Sequence, residues 1–258
     1  MKTTVIVQAR MGSTRLPGKV LKEISGKPML EWVVRRAEKA KKVNDLVVAT
    51  TYVPEDDLIE LWCNKEGIAC FRGAEFDVLE RFYYAAKWRG SDRIVRITAD
   101  CPLIDPKVID QVIELFETSG ADFAANRLPP PWKRTYPIGL DVEVVSFAGL
   151  ERARQSADQF YEREHVMPWF YATEGRCKVS ILDDPRNAGD HRWTVDTAED
   201  LVLLQAIFDR LPNPLEAGWE EVLALIEANP ELEMINADSK AKRVDMVDDR
   251  IQEGEKPE

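Results

Sequence analysis

The first half of the chain alternates between short apolar runs and amphipathic stretches. Apolar runs rich in Val and Ile, such as TTVIVQA at 3–9, are typical of strands that are buried on both faces of a sheet. The stretches between them carry apolar residues at helical spacing, as at Leu30, Val33 and Val34. The predicted strands cover 3–9, 45–51, 68–73, 93–100 and 121–126, and the predicted helices begin at Pro28, Pro54 and Asp77 and near Ile109.

Strands that alternate with helices in this way predict an α/β fold with a mainly parallel, doubly wound sheet. In such sheets, ligands bind outside the carboxyl ends of the strands. Three conspicuous stretches fall at predicted strand ends: the loop after the first strand, Arg72-Gly73 after the third, and Asp100 after the fourth. The pattern therefore predicts one site that is assembled from separate parts of the chain.

The second half of the chain is less regular. RLPPPWKRTYPIG at 127–139 is a proline-rich excursion, and irregular segments of this length are often lids or partner contacts. Asp141 and Glu143 follow at a spacing that places both side chains on one face of a strand. Further helices are predicted at 147–157, 161–173, 197–210 and 215–228, and further strands at 177–182 and 191–195.

Length and composition are those of a globular domain. The 258 residues are 45% hydrophobic and 31% charged, and no apolar run approaches the ~18 residues of a membrane span. We expect a single domain over 1–235, in which 127–175 forms a substrate-side or dimerisation excursion, and a charged tail over 236–258. The N-terminus lacks a signal-peptide pattern and the four cysteines include no C-x-x-C pair, so we expect a cytoplasmic protein with reduced thiols.

The net charge of −11 argues against a nucleic acid or an anionic membrane as a partner. Its distribution is uneven, because residues 1–42 carry +8 and the remainder carries −19. Part of the positive charge fits the solvated outer face of the first helix, namely Arg35, Arg36, Lys39, Lys41 and Lys42. Arg10, Arg15 and Lys19 belong to the loop after the first strand, and this local cationic zone on an acidic protein indicates a small polyanion as ligand.

This loop, in VIVQARMGSTRLPGKV at 5–20, combines a glycine turn, two hydroxyls and three cations. It is not a P-loop, because its two glycines enclose five residues rather than four and the residue after the lysine offers no hydroxyl to Mg²⁺. Successive N–H groups of a glycine turn still form an anion-binding nest. Arg10 and Arg15 add bidentate phosphate contacts and Lys19 adds a compact charge, so the loop predicts a phosphate site.

Two aspartates end apolar runs in opposite halves of the chain, Asp100 in RIVRITAD and Asp196 in HRWTVD. Each alone is more typical of a turn or a helix cap. Together, facing a cationic loop, they predict a Mg²⁺ site, because Mg²⁺ uses one or two carboxylates plus substrate phosphates. The only two histidines, His165 and His191, are far apart in sequence, which argues against a zinc site.

The segment DVLER at 77–81 has two interpretations. Asp77 followed by Glu80 resembles a helix capping box, which is the structural interpretation. Arg72 and Arg81 are associated with the same predicted strand end, and both are candidates for contacts with a nucleotide.

Several stretches, in order along residues 3–205, resemble the cytidylyltransferases that activate acidic sugars, including the KDO and acylneuraminate (sialic acid) enzymes. They are QARMGSTRLPGK, ISGKPMLEWVVRRA, VVAT, RG…DVLERF, DCPLIDPKVID and WTVDTAEDL, while GLDVEV and REHV resemble the spore-coat-polysaccharide branch. The resemblance implies a nucleotide-diphospho-sugar transferase fold, which is GT-A-like and Rossmann-like. It also implies a Mg²⁺-dependent homodimer in which a sugar hydroxyl attacks the α-phosphate of CTP, giving a CMP-sugar and pyrophosphate.

The same resemblance implies roles by position. The catalytic residues would be Arg10, Lys19, Asp100 and Asp196, of which the two aspartates would bind Mg²⁺. The nucleotide would contact Gln8, Ala9, Arg10, Gly12, Ser13, Arg15, Lys19, Arg72, Asp77, Arg81, Thr98 and Ala99. The sugar would contact Asp141, Glu143, Glu164 and His165.

Two other classes of protein are compatible with the same pattern. A glycosyltransferase on a similar fold would consume a nucleotide-sugar, and its D-x-D metal motif has its nearest match in Asp141-Val142-Glu143. A non-catalytic nucleotide-binding protein would lack one of the carboxylates or loop cations, and none of these is missing.

Overall fold

A seven-stranded sheet forms the centre of the protein, in a computed structural model that describes residues 1–129 and 134–239. The strands are β1 (Thr3–Gln8), β2 (Glu23–Ile24), β3 (Lys27–Pro28), β4 (Asp45–Thr51), β5 (Ala69–Gly73), β6 (Arg93–Thr98), β7 (Phe123–Ala125), β8 (Glu143–Ser146) and β9 (Val179–Ile181). The order across the sheet is β5-β4-β1-β6-β8-β7-β9, and β2 and β3 form a separate antiparallel pair.

The helices connect these strands and cover both faces of the sheet. They are α1 (Met29–Ala37), α2 (Asp57–Glu66), α3 (Val78–Arg89), α4 (Pro106–Ser119), α5 (Phe147–Ser156), α6 (Phe160–His165), α7 (Pro168–Tyr171), α8 (Ala198–Arg210) and α9 (Trp219–Ala228). Short 3₁₀ turns lie at Lys19–Leu21, Pro54–Asp56 and Pro230–Met234.

The sheet is mainly parallel, as predicted. β1 pairs in parallel with β4 on one side and with β6 on the other, and β5 continues the parallel half. β8 is antiparallel to both of its neighbours, β6 and β7. The carboxyl ends of β1, β4, β5 and β6 therefore meet at one edge, where the predicted ligand site was placed.

Both faces of the sheet are buried, which explains the continuous apolar runs. Val5 and Val7 of β1 pack with α1, α2, α4, α8 and α9 on one face. Ile6, between them, packs on the other face with α3, α5 and α7. Because successive side chains of a strand point to opposite faces, a strand covered on both sides needs apolar residues at every position.

The predicted strand at 191–195 is wrong. This segment is extended, but within the described residues it pairs with the rest of the chain only through an isolated bridge between Arg192 and Ile138. Its N–H groups bond to loop carbonyls, from Trp193 to Ile138 at 2.7 Å and from Val195 to Asp100 at 2.9 Å. Its apolar residues Trp193 and Val195 are buried, but the segment packs between loops and is not part of a sheet.

The predicted helix at 161–173 is two short helices, α6 and α7, rather than one. Pro168 begins α7, and a proline inside a helix removes a hydrogen bond and clashes with the preceding turn. Val166, between the two helices, has φ +69° and is completely buried. The chain changes direction there while the side chain stays in the core.

The assignment of Arg36 to a solvated helix face is also wrong. Arg36 is fully buried, and its guanidinium donates to the carbonyls of Ile104 at 2.8 Å and Ala217 at 2.7 Å, and also to those of Leu103 and Pro214. Burial lowers the pKa of Arg36 to about 10, against the opposing effect of nearby acidic groups. The residue ties α1 to the loops beside α4 and α9 instead of facing water.

Two predicted segments lie partly outside the described residues. Within the excursion at 127–175, residues 130–133 are not described, and 240–258 of the predicted tail are not described either. The first part of that tail, 236–239, packs on the domain, and Asn236 is buried. Across the described ranges, no helix is both long enough and apolar enough to span a bilayer.

Candidate active site

A cavity of about 210 Å³ lies at the carboxyl ends of β1 and β6. The loop after β1 forms one wall, β6 and the residues that follow it form another, and Asp196 closes the site from the second half of the chain. The lining residues are Gln8, Arg10, Gly12, Ser13, Thr14, Arg15, Lys19, Val20, Thr98, Ala99, Asp100 and Asp196. Predicted Ala9 sits beneath this cavity in the core, where its N–H bonds the carbonyl of Ala49.

The loop after β1 is held in a defined shape by its own backbone. The carbonyl of Met11 accepts from the N–H groups of Ser13 at 2.8 Å and Gly18 at 3.0 Å. Gly18 has φ +67°, which a side chain would disfavour, and this turn lets Lys19 start the 3₁₀ segment that follows. Asp56 fixes the beginning of the loop by accepting from the N–H of Met11 at 2.7 Å.

Lys19 joins the two predicted aspartates. Its ammonium donates to Asp100 Oδ2 at 2.7 Å and to Asp196 Oδ1 at 2.9 Å. It also donates to the carbonyl of Val195 at 2.7 Å, and the N–H of Val195 bonds the carbonyl of Asp100. The two carboxylates are therefore held side by side, although 96 positions separate them in the sequence.

Three cations surround the carboxylate of Asp196. Besides Lys19, Arg15 lies 3.0 Å and Arg192 lies 2.7 Å from its Oδ2. Burial of Asp196 acts to raise its pKa, but these cations outweigh burial and lower the pKa to about 2. Burial likewise acts to lower the pKa of Lys19, and the two aspartates reverse this and raise it. Both pKa shifts favour the charged forms of the Lys19–Asp196 ion pair.

The oxygens of Asp100 and Asp196 fit a hard divalent cation that takes its other ligands from the phosphates of a substrate. Asp100 and Asp196 each direct one oxygen at the same ammonium, so their oxygens converge on a point that already holds a positive charge. Thr98 donates to the other oxygen of Asp100 at 2.6 Å. Among residues 1–129 and 134–239, no group of three or more metal-binding side chains occurs. A pair of carboxylates is nevertheless sufficient for Mg²⁺, because this ion typically binds one or two carboxylates together with the phosphate oxygens of a substrate.

Arg72 and Arg81 line a neighbouring cavity of about 950 Å³ at the end of β5. Arg72 is engaged in ion pairs with Asp57 and Glu60 of α2, at 2.6 and 2.9 Å. Arg81 is almost completely buried, and within the described residues its Nε and Nη2 have no hydrogen-bond partner. Burial, together with the nearby charge of Arg10, lowers the pKa of Arg81 to about 10.

Asp77 has both oxygens occupied. It caps α3 by accepting from the N–H of Glu80 at 2.9 Å, and it pairs with Arg163 at 2.5 and 2.7 Å. The Asp77 half of the predicted capping box is therefore present, whereas the side chain of Glu80 pairs with Arg154 at 3.0 Å.

Asp141 and Glu143 lie in a network of arginines next to Gln8. Glu143 accepts from Arg96 at 2.5 Å, and Arg96 also donates to Gln8 at 3.0 Å. Asp141 pairs with Arg134 and, at 3.3 Å, with Arg127. Burial acts to raise the pKa of Asp141, but these arginines outweigh it and lower the pKa. Glu164 and His165, which were also predicted for the sugar side, lie at the end of α6, which packs against α3, and they are not among the residues that line the phosphate cavity.

Sequence reasoning missed three arginines that organise this region: Arg96, Arg127 and Arg192. Two of them carried a usable signal. Arg96 is a charged residue inside an otherwise apolar strand, and Arg192 stands four positions before Asp196. Arg127 carried no such signal, because its partners are set by the tertiary fold.

Comparison with known proteins identifies the group to which the chain is similar. A sequence profile of the cytidylyltransferase family matches residues 4–207. The chain is 32% identical to the spore coat polysaccharide biosynthesis protein SpsF of Bacillus subtilis over 235 residues, which cover 88% of this chain and 94% of that protein. It is 37% identical over 124 residues to the 8-amino-3,8-dideoxy-manno-octulosonate cytidylyltransferase of Shewanella piezotolerans, covering 48% of this chain and 51% of that one.

A solved cytidylyltransferase from Leptospira borgpetersenii matches the structure with a TM-score of 0.83 at 32% identity, and the match covers 90% of this chain and 96% of that one. The predicted α/β fold is thereby confirmed, as is the resemblance on which the predicted roles were based. By profile, by sequence and by structure, this chain belongs to the cytidylyltransferase family and is a nucleotidyltransferase.

Proposed function

We propose that the protein transfers CMP from CTP to the hydroxyl of an acidic sugar of the ulosonic type, for surface polysaccharide biosynthesis. The hydroxyl oxygen bonds to the α-phosphorus and its proton is released to water. The bond from that phosphorus to the oxygen that bridges to the β-phosphorus breaks, and pyrophosphate leaves with the electron pair of this bond. The observation that carries this proposal is the cluster in which Lys19 joins Asp100 and Asp196 beside the loop that holds Arg10 and Arg15.

The side chains around the cavity suit the charge of such a reaction. Phosphoryl transfer depends mainly on positioning and on neutralising the phosphate oxygens. Arg10 and Arg15 would grip the phosphates in a bidentate manner, and Lys19 would turn from the aspartates to the leaving pyrophosphate. Asp100 and Asp196 would hold Mg²⁺, which when bound polarises phosphate oxygens as a Lewis acid.

The base and sugar ends of the substrate have separate candidates. Arg81 lines the cavity at the end of β5 and has two buried nitrogens without a hydrogen-bond partner among the described residues, which makes it a candidate for contact with the pyrimidine base. The arginine network around Asp141 and Glu143 borders the phosphate cavity through Gln8 and is a candidate for the sugar side. From the family resemblance, we also propose that the protein is a homodimer with a contact through 127–175 and that it is located in the cytoplasm.

The decisive assay measures pyrophosphate release from CTP, ATP, GTP and UTP with Mg²⁺, each against a panel of acidic sugars. We expect release with CTP, and only when an acidic sugar is present. Consumption of a nucleotide-sugar without pyrophosphate would identify a glycosyltransferase instead. Stabilisation by CTP without turnover on any sugar would point to a binding protein, and either result would contradict the proposal.

A further inference from the structure

The carboxylate of Asp200 lies behind the predicted metal-binding aspartate, at the first turn of α8. It is completely buried, and its Oδ2 accepts from the N–H of Asp196 at 2.9 Å and of Thr197 at 3.0 Å. Its Oδ1 accepts from the side chains of Arg192 at 3.1 Å and Asn236 at 2.8 Å. A buried carboxylate needs such complete pairing to stay charged.

Arg192 links this buried carboxylate to the site. Its Nη2 donates to Asp196 Oδ2 at 2.7 Å, while Nε and Nη2 form a fork on Asp200 at 3.1 and 3.2 Å. The other oxygen of Asp196, Oδ1, faces Lys19 and Asp100. The two oxygens of Asp196 therefore have different partners: Oδ2 contacts Arg192 and, at 3.0 Å, Arg15, whereas Oδ1 contacts Lys19.

Asn236 brings the C-terminal segment into the same arrangement. It follows the 3₁₀ turn at Pro230–Met234 and is only 7% exposed. Its amide donates to Asp200 and also to the carbonyl of Arg192, at 3.3 Å. Ser239, three residues later, bonds the hydroxyl of Thr197 at 3.0 Å. The segment is thus tied to the residues on both sides of Asp196.

We propose that Arg192, Asp200 and Asn236 are positioning residues that aim Asp196 Oδ1 at the divalent cation, an inference that rests on the proposed function. Lys19 and Arg15 also contact Asp196, but both belong to the loop that would move onto the phosphates. Arg192 lies outside this loop and is anchored by Asp200. Partners of this kind fix the orientation of a metal-binding carboxylate, and their loss typically weakens metal binding about 10–100-fold.

The test compares Asn236→Ala and Arg192→Lys with the wild-type protein and with Asn229→Ala as a control. Asn229 belongs to the same C-terminal segment, but its amide bonds only the carbonyl of Leu225 among the described residues. Substitution of Asp200 is avoided, because it would leave buried donors unpaired. Binding of Mn²⁺ is followed by electron paramagnetic resonance with CTP present, and pyrophosphate release is measured at saturating metal.

We expect Asn236→Ala to raise the half-saturating Mn²⁺ concentration roughly tenfold, with a much smaller change in kcat at saturating metal. Arg192→Lys, which keeps the charge but loses the fork, should shift it in the same direction, and Asn229→Ala should leave it unchanged. A lower melting temperature without any shift in half-saturation would overturn the inference, since that is what a purely structural role predicts. If the wild-type protein neither binds Mn²⁺ with CTP nor releases pyrophosphate, the proposed function fails and the inference fails with it.

Discussion

Replacement of Asp196 by Asn isolates the electrostatic contribution of the central cluster. Asn keeps the size of the side chain and removes its charge, which faces Lys19, Arg15 and Arg192 at 2.7 to 3.0 Å. The pKa of Asp196 is lowered from 3.8 to about 2, so the folded protein favours the carboxylate. At 1.36 kcal/mol for each pKa unit, the charge contributes roughly 2 kcal/mol to the free energy of unfolding.

The sign of this contribution gives it a characteristic pH dependence. A carboxyl whose pKa is lowered on folding stabilises the protein fully above its unfolded value near 3.8, and the stabilisation is lost as pH falls through about 2. The difference between the wild type and Asp196→Asn should therefore be roughly 2 kcal/mol at pH 7 and about half of that at pH 3. Activity should fall at least about 100-fold at pH 7, because one of the two carboxylates that would hold Mg²⁺ is lost.

Urea unfolding from pH 7 to pH 3 measures the first effect, and pyrophosphate release measures the second. Asp209→Asn is a matched control, because Asp209 is an exposed aspartate of the same helix, α8, and bonds only neighbouring polar side chains among the described residues. Equal stability of Asp196→Asn and the wild type at pH 7, or a difference that does not change towards pH 3, would refute the electrostatic reasoning.

Three further substitutions test other parts of the structure. Lys19→Met should weaken CTP binding about 10–100-fold by calorimetry, and it should tighten Mn²⁺ binding without nucleotide because it frees the two aspartates. The control Lys22→Met should change neither affinity. In urea unfolding, Arg36→Met should lower the free energy of unfolding by about 3 kcal/mol or more, whereas Arg35→Met, at a surface ion pair, should lower it by less than about 1 kcal/mol. Equal effects would contradict the burial of Arg36. Gly139→Ala should lower the free energy of unfolding by roughly 2 kcal/mol or more, because φ at this position is +106° and a Cβ would lie 2.7 Å from the backbone of Trp193. A melting temperature equal to that of the wild type would contradict this close approach.

The sheet and the meeting point of its strands could be predicted from the sequence. Apolar runs alternating with helical spacing specify a parallel sheet, and a parallel sheet brings its carboxyl strand ends to one edge. That rule places Arg10, Lys19 and Asp100 together without any knowledge of side-chain contacts. Asp196 followed the same reasoning, although the segment before it is not a strand but an extended stretch held by the loops at Ile138 and Asp100.

What the sequence did not reveal depends on contacts between distant residues. Arg36 lies on the buried side of α1, three positions after Val33, although its charge suggested a solvated position. It is a core residue because four backbone carbonyls that are distant in the sequence accept from its guanidinium. In the sequence, Asn236 looked like the beginning of a charged tail. In the structure its amide donates to the buried carboxylate of Asp200, which the sequence indicates only as part of the first turn of a helix. Local periodicity carries no information about such pairings.

The central claim is that the loop after β1 and the two aspartates bind one nucleotide tail together with one divalent cation. Calorimetric titration of the protein with CTP, with and without Mg²⁺, tests this most directly. We predict that Mg²⁺ tightens CTP binding to the wild type and that this effect is lost in both Asp100→Ala and Asp196→Ala. An equal tightening by Mg²⁺ in both variants would contradict the claim, because the two carboxylates would then take no part in binding the cation.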